Sequence, residues 1–306
     1  MKAWAKHLLR LGVMLVVVLL FFKWINLSPS AGHILEASLP WVLAGCAVIL
    51  VNNILKGIRF AFITRAIHAP VPYLRSILVN NISIIVGRVT PGRIGEASKI
   101  ALLGQKTSEL SFSFTLEKLL DFFLVLVIAL VGLNQFSDYR NSTIIFALGL
   151  IVLVLLVVKI DKVLAFVAKR PVLEDRWFVN HLGKISPSWW VLIILSSLII
   201  RAGPLALAII VDRALGLSSS LVAIAVLYNL AIILGQISAI PGGYGVREAG
   251  YTFLISTHLG LDIATAGIAA TLITLIDLFI ETSGALVGWI VFKSLPRTHH
   301  EIGKHT

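Results

Sequence analysis

The chain has almost no cysteine and few charged residues. Cys46 is its only cysteine in 306 residues, which excludes a disulfide framework and a metal site built from several thiolates. The eight histidines lack the spacing of metal ligands, and the sequence contains no Walker motif and no glycine-rich nucleotide loop. We therefore expect no cofactor, no metal and no ATP hydrolysis by this chain.

Charged residues make up only 13% of the sequence, whereas 58% is hydrophobic and the mean hydropathy is +0.96. This composition excludes an ordinary soluble domain and indicates a polytopic membrane protein. The formal net charge is +11. In a membrane protein such a charge indicates basic loops that face anionic lipid, so we expect membrane lipids as partners and no nucleic acid.

Long apolar runs predict an all-α protein with six spanning helices. The expected spans are Leu8–Leu27, Pro40–Phe62, Ser111–Leu133, Ser142–Ile160, Ser188–Val211 and Leu261–Phe292. The first follows basic residues as a signal peptide does, but Lys23 and Pro29 around its end favour a retained helix. Two shorter apolar segments, at about 73–103 and 221–258, are each broken in the middle, which gives eight hydrophobic segments in all.

The two breaks are the most informative stretches of the sequence. The first is Thr90–Glu96 and the second is Ile240–Glu248, and both contain an arginine and a glutamate. Backbone that leaves helical geometry at membrane depth survives only inside the protein or beside a wet cavity. Paired breaks of this kind point to a transporter-type binding site. The residues that break the backbone are Pro91, Gly92, Gly95, Pro241, Gly242, Gly243 and Gly245.

The distribution of Lys and Arg decides the predicted topology. If each broken segment enters and leaves on the same face, the most basic stretch, at about 159–187, lies in the cytoplasm together with both termini. If both segments cross, that stretch lies outside, against the positive-inside rule. We therefore predict a multi-pass protein of the cell (inner, cytoplasmic) membrane, with six spans and two re-entrant helical hairpins.

An internal repeat supports the same topology. Trp41-Val42-Leu43 recurs as Trp190-Val191-Leu192, and Pro91-Gly92 recurs as Pro241-Gly242, each about 150 residues later. We predict one transmembrane domain over 1–306, with repeat one at about 40–133 and repeat two at about 188–292. Three crossings separate the copies, and an odd number inverts the second relative to the first.

Several charged residues near the breaks are candidates for substrate binding. A short helix beginning near Ile94 would point its N-terminus, which attracts anions, at the first break. Arginine suits phosphate because its planar fork donates two parallel hydrogen bonds. The candidates are Arg93, Arg247, Arg88, Arg201, Glu96 and Glu248. The alternative is structural: Arg93 and Arg247 would pair with neighbouring carboxylates, and both interpretations can hold together.

Two pairs of acids recur at i, i+4 spacing, Glu117 with Asp121 and Asp277 with Glu281. They could carry protons, or they could neutralise nearby arginines. Lys56 and Arg59 could line the site or extend to the cytoplasmic headgroups. The Asn side chains in these helices favour interhelical hydrogen bonds.

The breaks and the acidic pair carry a family resemblance. Val89–Glu96 followed by Lys99, then Glu117–Asp121, then Ile240–Glu248 resemble the transmembrane region of lysylphosphatidylglycerol synthases, a flippase-like family. The resemblance covers nearly the whole chain, although Arg93 stands where many members carry a second glycine. It implies a lipid-translocating module with paired re-entrant elements. Only a short tail follows Phe292, so we expect the module without a synthase domain.

The leading hypothesis is a non-enzymatic lipid flippase or transporter for an anionic phospholipid or a polyprenyl-phosphate-type lipid. A lipid-biosynthetic enzyme is a candidate protein partner. One alternative is a membrane-embedded lipid-modifying enzyme with Glu96 or Glu248 as general base. Another is a secondary carrier of a small organic anion.

Overall fold

The computed structural model describes residues 37–104, 107–133, 147, 151, 177–238 and 240–295. The predicted spans at 8–27 and 142–160, and most of the basic stretch at 159–187, lie outside these ranges. The described part contains helices and no strand. The α-helices are α1 (Leu39–Ala66), α2 (Tyr73–Arg88), α3 (Ser98–Leu103), α4 (Thr107–Leu133), α5 (Trp177–Leu182), α6 (Pro187–Ala214), α7 (Leu221–Ile237), α8 (Val246–Leu259) and α9 (Ile263–Ser294).

Three described helices, α1, α6 and α9, are long and apolar enough to cross a membrane. Helix α4 has 27 residues and contains the predicted span Ser111–Leu133, but Glu117, Lys118 and Asp121 interrupt its apolar surface. The protein is therefore an all-α polytopic membrane protein. The count of six spans stays a prediction, because two of them fall outside the described residues.

Helices α1 and α6 run antiparallel along each other. At one end the Ser38 amide donates to the Ala214 carbonyl over 3.0 Å; at the other the rings of Phe62 and Trp189 lie 6.0 Å apart. We call these the Leu39 end and the Ala66 end. Helix α9 runs parallel to α1, since Thr265 lies near Ser38.

The first broken segment begins and ends at the Ala66 end. Helix α2 runs back along α1, where Ser76 Oγ donates to the Gly57 carbonyl over 2.7 Å. A 3-10 turn (Pro91–Ala97) follows, and α3 then returns, so that Leu103 packs in one buried cluster with Phe60 and Val71. The helix ends therefore lie together, as expected of a hairpin.

The second broken segment begins and ends at the Leu39 end. Helix α7 begins shortly after α6 ends, and a second 3-10 turn (Pro241–Gly243) follows it. Helix α8 then returns along α7, with the rings of Tyr228 and Tyr251 5.0 Å apart. The two turns pack against each other, and the carbonyl oxygen of Arg88 at the end of α2 lies 3.1 Å from the position a Cβ on Gly242 would take.

The described halves have the same order of elements and pack reciprocally. In each half a long helix is followed by a hairpin helix, a 3-10 turn, a second hairpin helix and another long helix. Helix α9 packs on α2, and α4 packs on α7. The inverted orientation of the repeats relative to the membrane stays a prediction.

The helix predicted to begin near Ile94 begins instead at Ser98. Arg93 has a φ of 58°, which an α-helix cannot accommodate, and the Gly95 amide donates to Thr90 Oγ1 over 2.7 Å. These contacts hold Pro91–Ala97 as a 3-10 turn. The prediction of a helix N-terminus at Ile94 is therefore wrong, while α8 after the second break begins at Val246.

Candidate functional site

The first break holds two cations around one buried carboxylate. Glu96 is 4% exposed; its Oε1 lies 2.6 Å from Arg93 Nε, and its Oε2 pairs with Lys118 Nζ from α4. Both cationic side chains remain about one third exposed. Glu96 therefore fixes two cations while leaving part of each accessible.

Arg93 adopts a positive φ of 58°, a conformation that costs a non-glycine residue about 1–2 kcal/mol. At the second break glycines take the positive φ values: Gly242 has 65° and Gly245 has 81°. An arginine in a conformation suited to glycine makes Arg93 a candidate functional residue.

The second break also centres on a carboxylate. Glu248 Oε1 accepts from Arg247 Nη2 over 2.9 Å and from Thr274 Oγ1 over 2.6 Å. Its Oε2 accepts from the Gly245 amide over 2.6 Å, so the N-terminus of α8 is capped by its own side chain. An anionic ligand at this helix N-terminus would have to displace Glu248.

Arg88 joins the two halves of the described chain. Its Nε donates to Glu281 over 2.5 Å, and its Nη2 lies 3.5 Å from Asp277. Arg88 is only 5% exposed. Asp277 also lies 3.4 Å from Arg247 Nη1. In this arrangement the Asp277 and Glu281 pair neutralises arginines.

The Glu117 and Asp121 pair binds Arg59, which is fully buried. Arg59 donates to Glu117 over 3.1 Å and to Asp121 over 2.6 Å, and Lys99 Nζ donates to Glu117 over 2.8 Å. Of the two alternatives for Arg59, extension to the headgroups does not fit the structure, because two carboxylates bind Arg59 inside the protein. Lys56 is partly buried, and its Nζ lies 3.3 Å from Asn53 Oδ1.

Cations outnumber acids around the two breaks in the described residues. The acids are Glu96, Glu117, Asp121, Glu248, Asp277 and Glu281, and the bases are Lys56, Arg59, Arg88, Arg93, Lys99, Lys118, Arg201 and Arg247. Neither Lys56 nor Arg201 forms a carboxylate ion pair in these ranges. The excess of positive charge favours an anionic ligand.

A cavity of about 490 Å³ lies between α4, α7 and the two 3-10 turns. Its polar wall carries the cations Arg93, Lys118 and Arg247 with a single carboxylate, Asp121. The other walls are mainly apolar: Ile94, Phe114, Phe122, Ile232, Ile237 and Ile240. Ile94 is 72% exposed and Ile237 is 70% exposed, so the cavity has an apolar rim.

The cavity contains two of the six residues proposed from the sequence to bind substrate, Arg93 and Arg247. Glu96 and Glu248 lie behind them as their carboxylate partners. Arg88 and Arg201 do not line the cavity. Helical spacing could have identified Lys118, which lies three residues before Asp121 on α4. Within the described ranges no three His, Cys, Asp or Glu side chains could hold a metal ion.

Comparison with known proteins gives one family. The family described as "Lysylphosphatidylglycerol synthase TM region" matches residues 7–283. No curated protein matches the chain.

Proposed function

Because the chain belongs to the lysylphosphatidylglycerol synthase TM region family, we propose that it is a flippase or transporter for an anionic lipid. The substrate would be a phospholipid or a polyprenyl-phosphate-type lipid, moved between leaflets without chemical change. The observation that carries the proposal is the cavity, which combines three cations with an apolar rim.

The cations are arranged to receive a phosphate. Arg93 and Lys118 share Glu96 and are each partly exposed, so a phosphate could contact both without either leaving its carboxylate. Arg247 faces the same cavity from the second break. Charge-assisted hydrogen bonds from such groups are stronger than hydrogen bonds between neutral groups.

The apolar rim favours a lipid over a small soluble anion. Ile94 and Ile237 are largely exposed at the cavity, and Phe114 and Phe122 line it from α4. Exposed apolar side chains beside a polar pocket suit a ligand that has a charged head and a hydrocarbon tail. The tail would stay in the bilayer while the headgroup occupies the cavity.

The ion pairs support transport rather than chemistry. Glu96 is bound to two cations, and Glu248 accepts from a cation, a hydroxyl and a backbone amide. A general base has to reach the proton that it abstracts, whereas Glu96 and Glu248 are both buried and already paired with cations. We therefore propose that the chain is not an enzyme.

The hairpins suggest how the headgroup crosses. We propose that the two halves are inverted repeats and that they rock around the meeting point of the 3-10 turns, as in other transporters with broken helices. The cavity in this structure would then be one of two alternating openings.

The test is lipid movement in proteoliposomes. Full-length protein is reconstituted with fluorescent phosphatidylglycerol, phosphatidylethanolamine or a polyprenyl phosphate, and each probe is exposed to an external quencher. Wild type should move an anionic lipid. Arg93→Gln and Lys118→Gln should each slow that movement by about tenfold or more, since each loses a charge-assisted contact.

Lys184→Gln is the matched control, because Lys184 is exposed and does not line the cavity. It should transport as wild type does. If no lipid moves, with or without a proton gradient, the flippase proposal is wrong. A chemically altered lipid recovered from the vesicles would indicate the enzyme alternative, and uptake of a small soluble organic anion would indicate the carrier.

A further inference from the structure

We propose that Arg201 is a second binding site for the phosphate group, one that the headgroup reaches after leaving the cavity. This inference rests on the proposed lipid transport. It concerns the next step along the path, on the side of the cavity that faces the Leu39 end.

Arg201 contacts a residue, Asn229, that lies about one helical turn from the cavity along α7. It donates to Asn229 Oδ1, and Asn229 precedes the cavity residue Ile232 by three positions on α7. Asn229 Nδ2 also donates to the carbonyl of Val125 on α4 over 2.9 Å. Val125 follows the cavity residue Phe122 by three positions. Asn229 thus links α7 to α4 one turn from the cavity residues, and its oxygen accepts from Arg201.

Arg201 differs from the other arginines at the two breaks and in the ion-pair clusters. Arg59, Arg88, Arg93 and Arg247 each pair with at least one carboxylate, whereas Arg201 has only the neutral Asn229 amide as a hydrogen-bond partner in the described residues. Its Nε is buried without a hydrogen-bond partner. Asp121 acts on Arg201 electrostatically, but it binds Arg59 over 2.6 Å instead.

A cation whose hydrogen-bond partner is a neutral amide can exchange that amide for an anion. A partly buried guanidinium with an unused, buried N–H gains more from a phosphate than from an amide oxygen, because the phosphate contributes charge and several acceptors. The cavity cations, by contrast, already have carboxylate partners. A phosphate that displaced Asn229 would therefore find its next strong partner at Arg201.

The order of cations along the helices gives the path a direction. On α4, Lys118 precedes Asp121 and Val125 toward the Leu39 end. On α6, Ser197 precedes Arg201 by one turn in the same direction, and Ser197 accepts from Arg59 over 3.2 Å. The headgroup would pass from Arg93, Lys118 and Arg247 to Arg201. Rotation of the Asn229 side chain would open the way.

Two substitutions test this second site. Arg201→Gln removes the cation, and Asn229→Asp leaves it in place but gives it a permanent carboxylate partner of nearly the same shape. Transport is measured with the fluorescent phosphatidylglycerol and polyprenyl phosphate probes, and binding with dihexanoyl phosphatidylglycerol and farnesyl phosphate on the purified full-length protein.

Both variants should bind the short-chain probes within about twofold of wild type and transport at least about tenfold more slowly. Arg201→Lys should recover much of the rate, because lysine also binds phosphate as a point charge. Arg213→Gln is the control on the same helix, since Arg213 already pairs with Asp212 and lies at the Leu39 end. It should transport normally.

Four results would overturn the second site. Normal transport by Arg201→Gln would show that the cation is not needed. Loss of binding together with transport would place Arg201 in the first site. Normal transport by Asn229→Asp would indicate that Arg201 only supports α7, since a carboxylate would strengthen that contact. A wild-type protein that moves no lipid would overturn the flippase proposal itself, and the second site with it.

Discussion

Arg88 of the first half donates to Glu281 of the second half over 2.5 Å, and this contact lies between α2 and α9. Helices α4 and α7 form the corresponding contact between the two halves. Among the described residues no ion pair joins these two helices, and the cavity lies beside them. A buried ion pair therefore holds α2 against α9, whereas a cavity lies beside α4 and α7. Motion between the halves would have to break the Arg88 contacts.

A disulfide between α2 and α9 should hold the protein in this state. A Cβ on Gly288 would lie 3.6 Å from the Asn81 Cβ, within the usual range of about 3.5–4.5 Å for a disulfide. In a Cys46→Ser background, Asn81→Cys with Gly288→Cys should cross-link on oxidation and stop lipid movement. A reducing agent should restore it in the proteoliposome assay. The single-cysteine variants are the controls, and full transport by the cross-linked protein would show that α2 and α9 need not separate.

Removing one partner of the Arg88 and Glu281 pair should destabilise the protein more than removing both charges. Arg88→Gln leaves a buried carboxylate without its main partner and should cost about 3–5 kcal/mol. Glu281→Gln introduced together with it should recover part of that loss. An SDS-unfolding titration of both single variants and the double variant measures the coupling. Additive effects would contradict a direct interaction.

Alanine at Gly87 should disturb the first break. A Cβ there would lie 2.5 Å from Glu96 Cγ, so Glu96 would move and its contacts with Arg93 and Lys118 would weaken. We expect a loss of about 1–3 kcal/mol in unfolding free energy and slower transport. Gly183→Ala is the control, because its Cβ would meet no atom closer than 3.7 Å. Equal behaviour of the two variants would argue against tight packing at Gly87.

Glu248 should act both as a helix cap and as the partner of Arg247. Glu248→Ala removes the acceptor of the Gly245 amide and should cost about 1–3 kcal/mol. Glu248→Gln can keep the cap, as glutamine does in other capping boxes, and should cost less. Unfolding titrations of the two variants compare them. If the glutamine variant is as unstable as the alanine variant, the whole loss of stability comes from the lost charge.

The sequence was informative about the breaks because proline, glycine and charge are rare in membrane helices. It predicted the interrupted segments, and it placed Arg93 and Arg247 at one site, where the cavity now contains both. The sequence could not show that Arg88 has a different position from Arg93 and Arg247, because Arg88 also lies close to the first break. Only packing shows that Arg88 points to Asp277 and Glu281. Helical spacing from Asp121 could have identified Lys118, but only the packing of α4 against the first break shows that Lys118 contacts Glu96.

The amino-acid sequence by itself determined that this is an all-α membrane protein with two broken segments, because hydrophobic length and backbone hydrogen bonding constrain what can lie in a bilayer. The tertiary structure decided which cation meets which carboxylate. Each arginine had several acids within plausible reach along the chain, and the choice among them depends on how α2, α4, α7 and α9 pack. The same packing left Arg201 with an amide instead of an acid, which no local pattern could indicate.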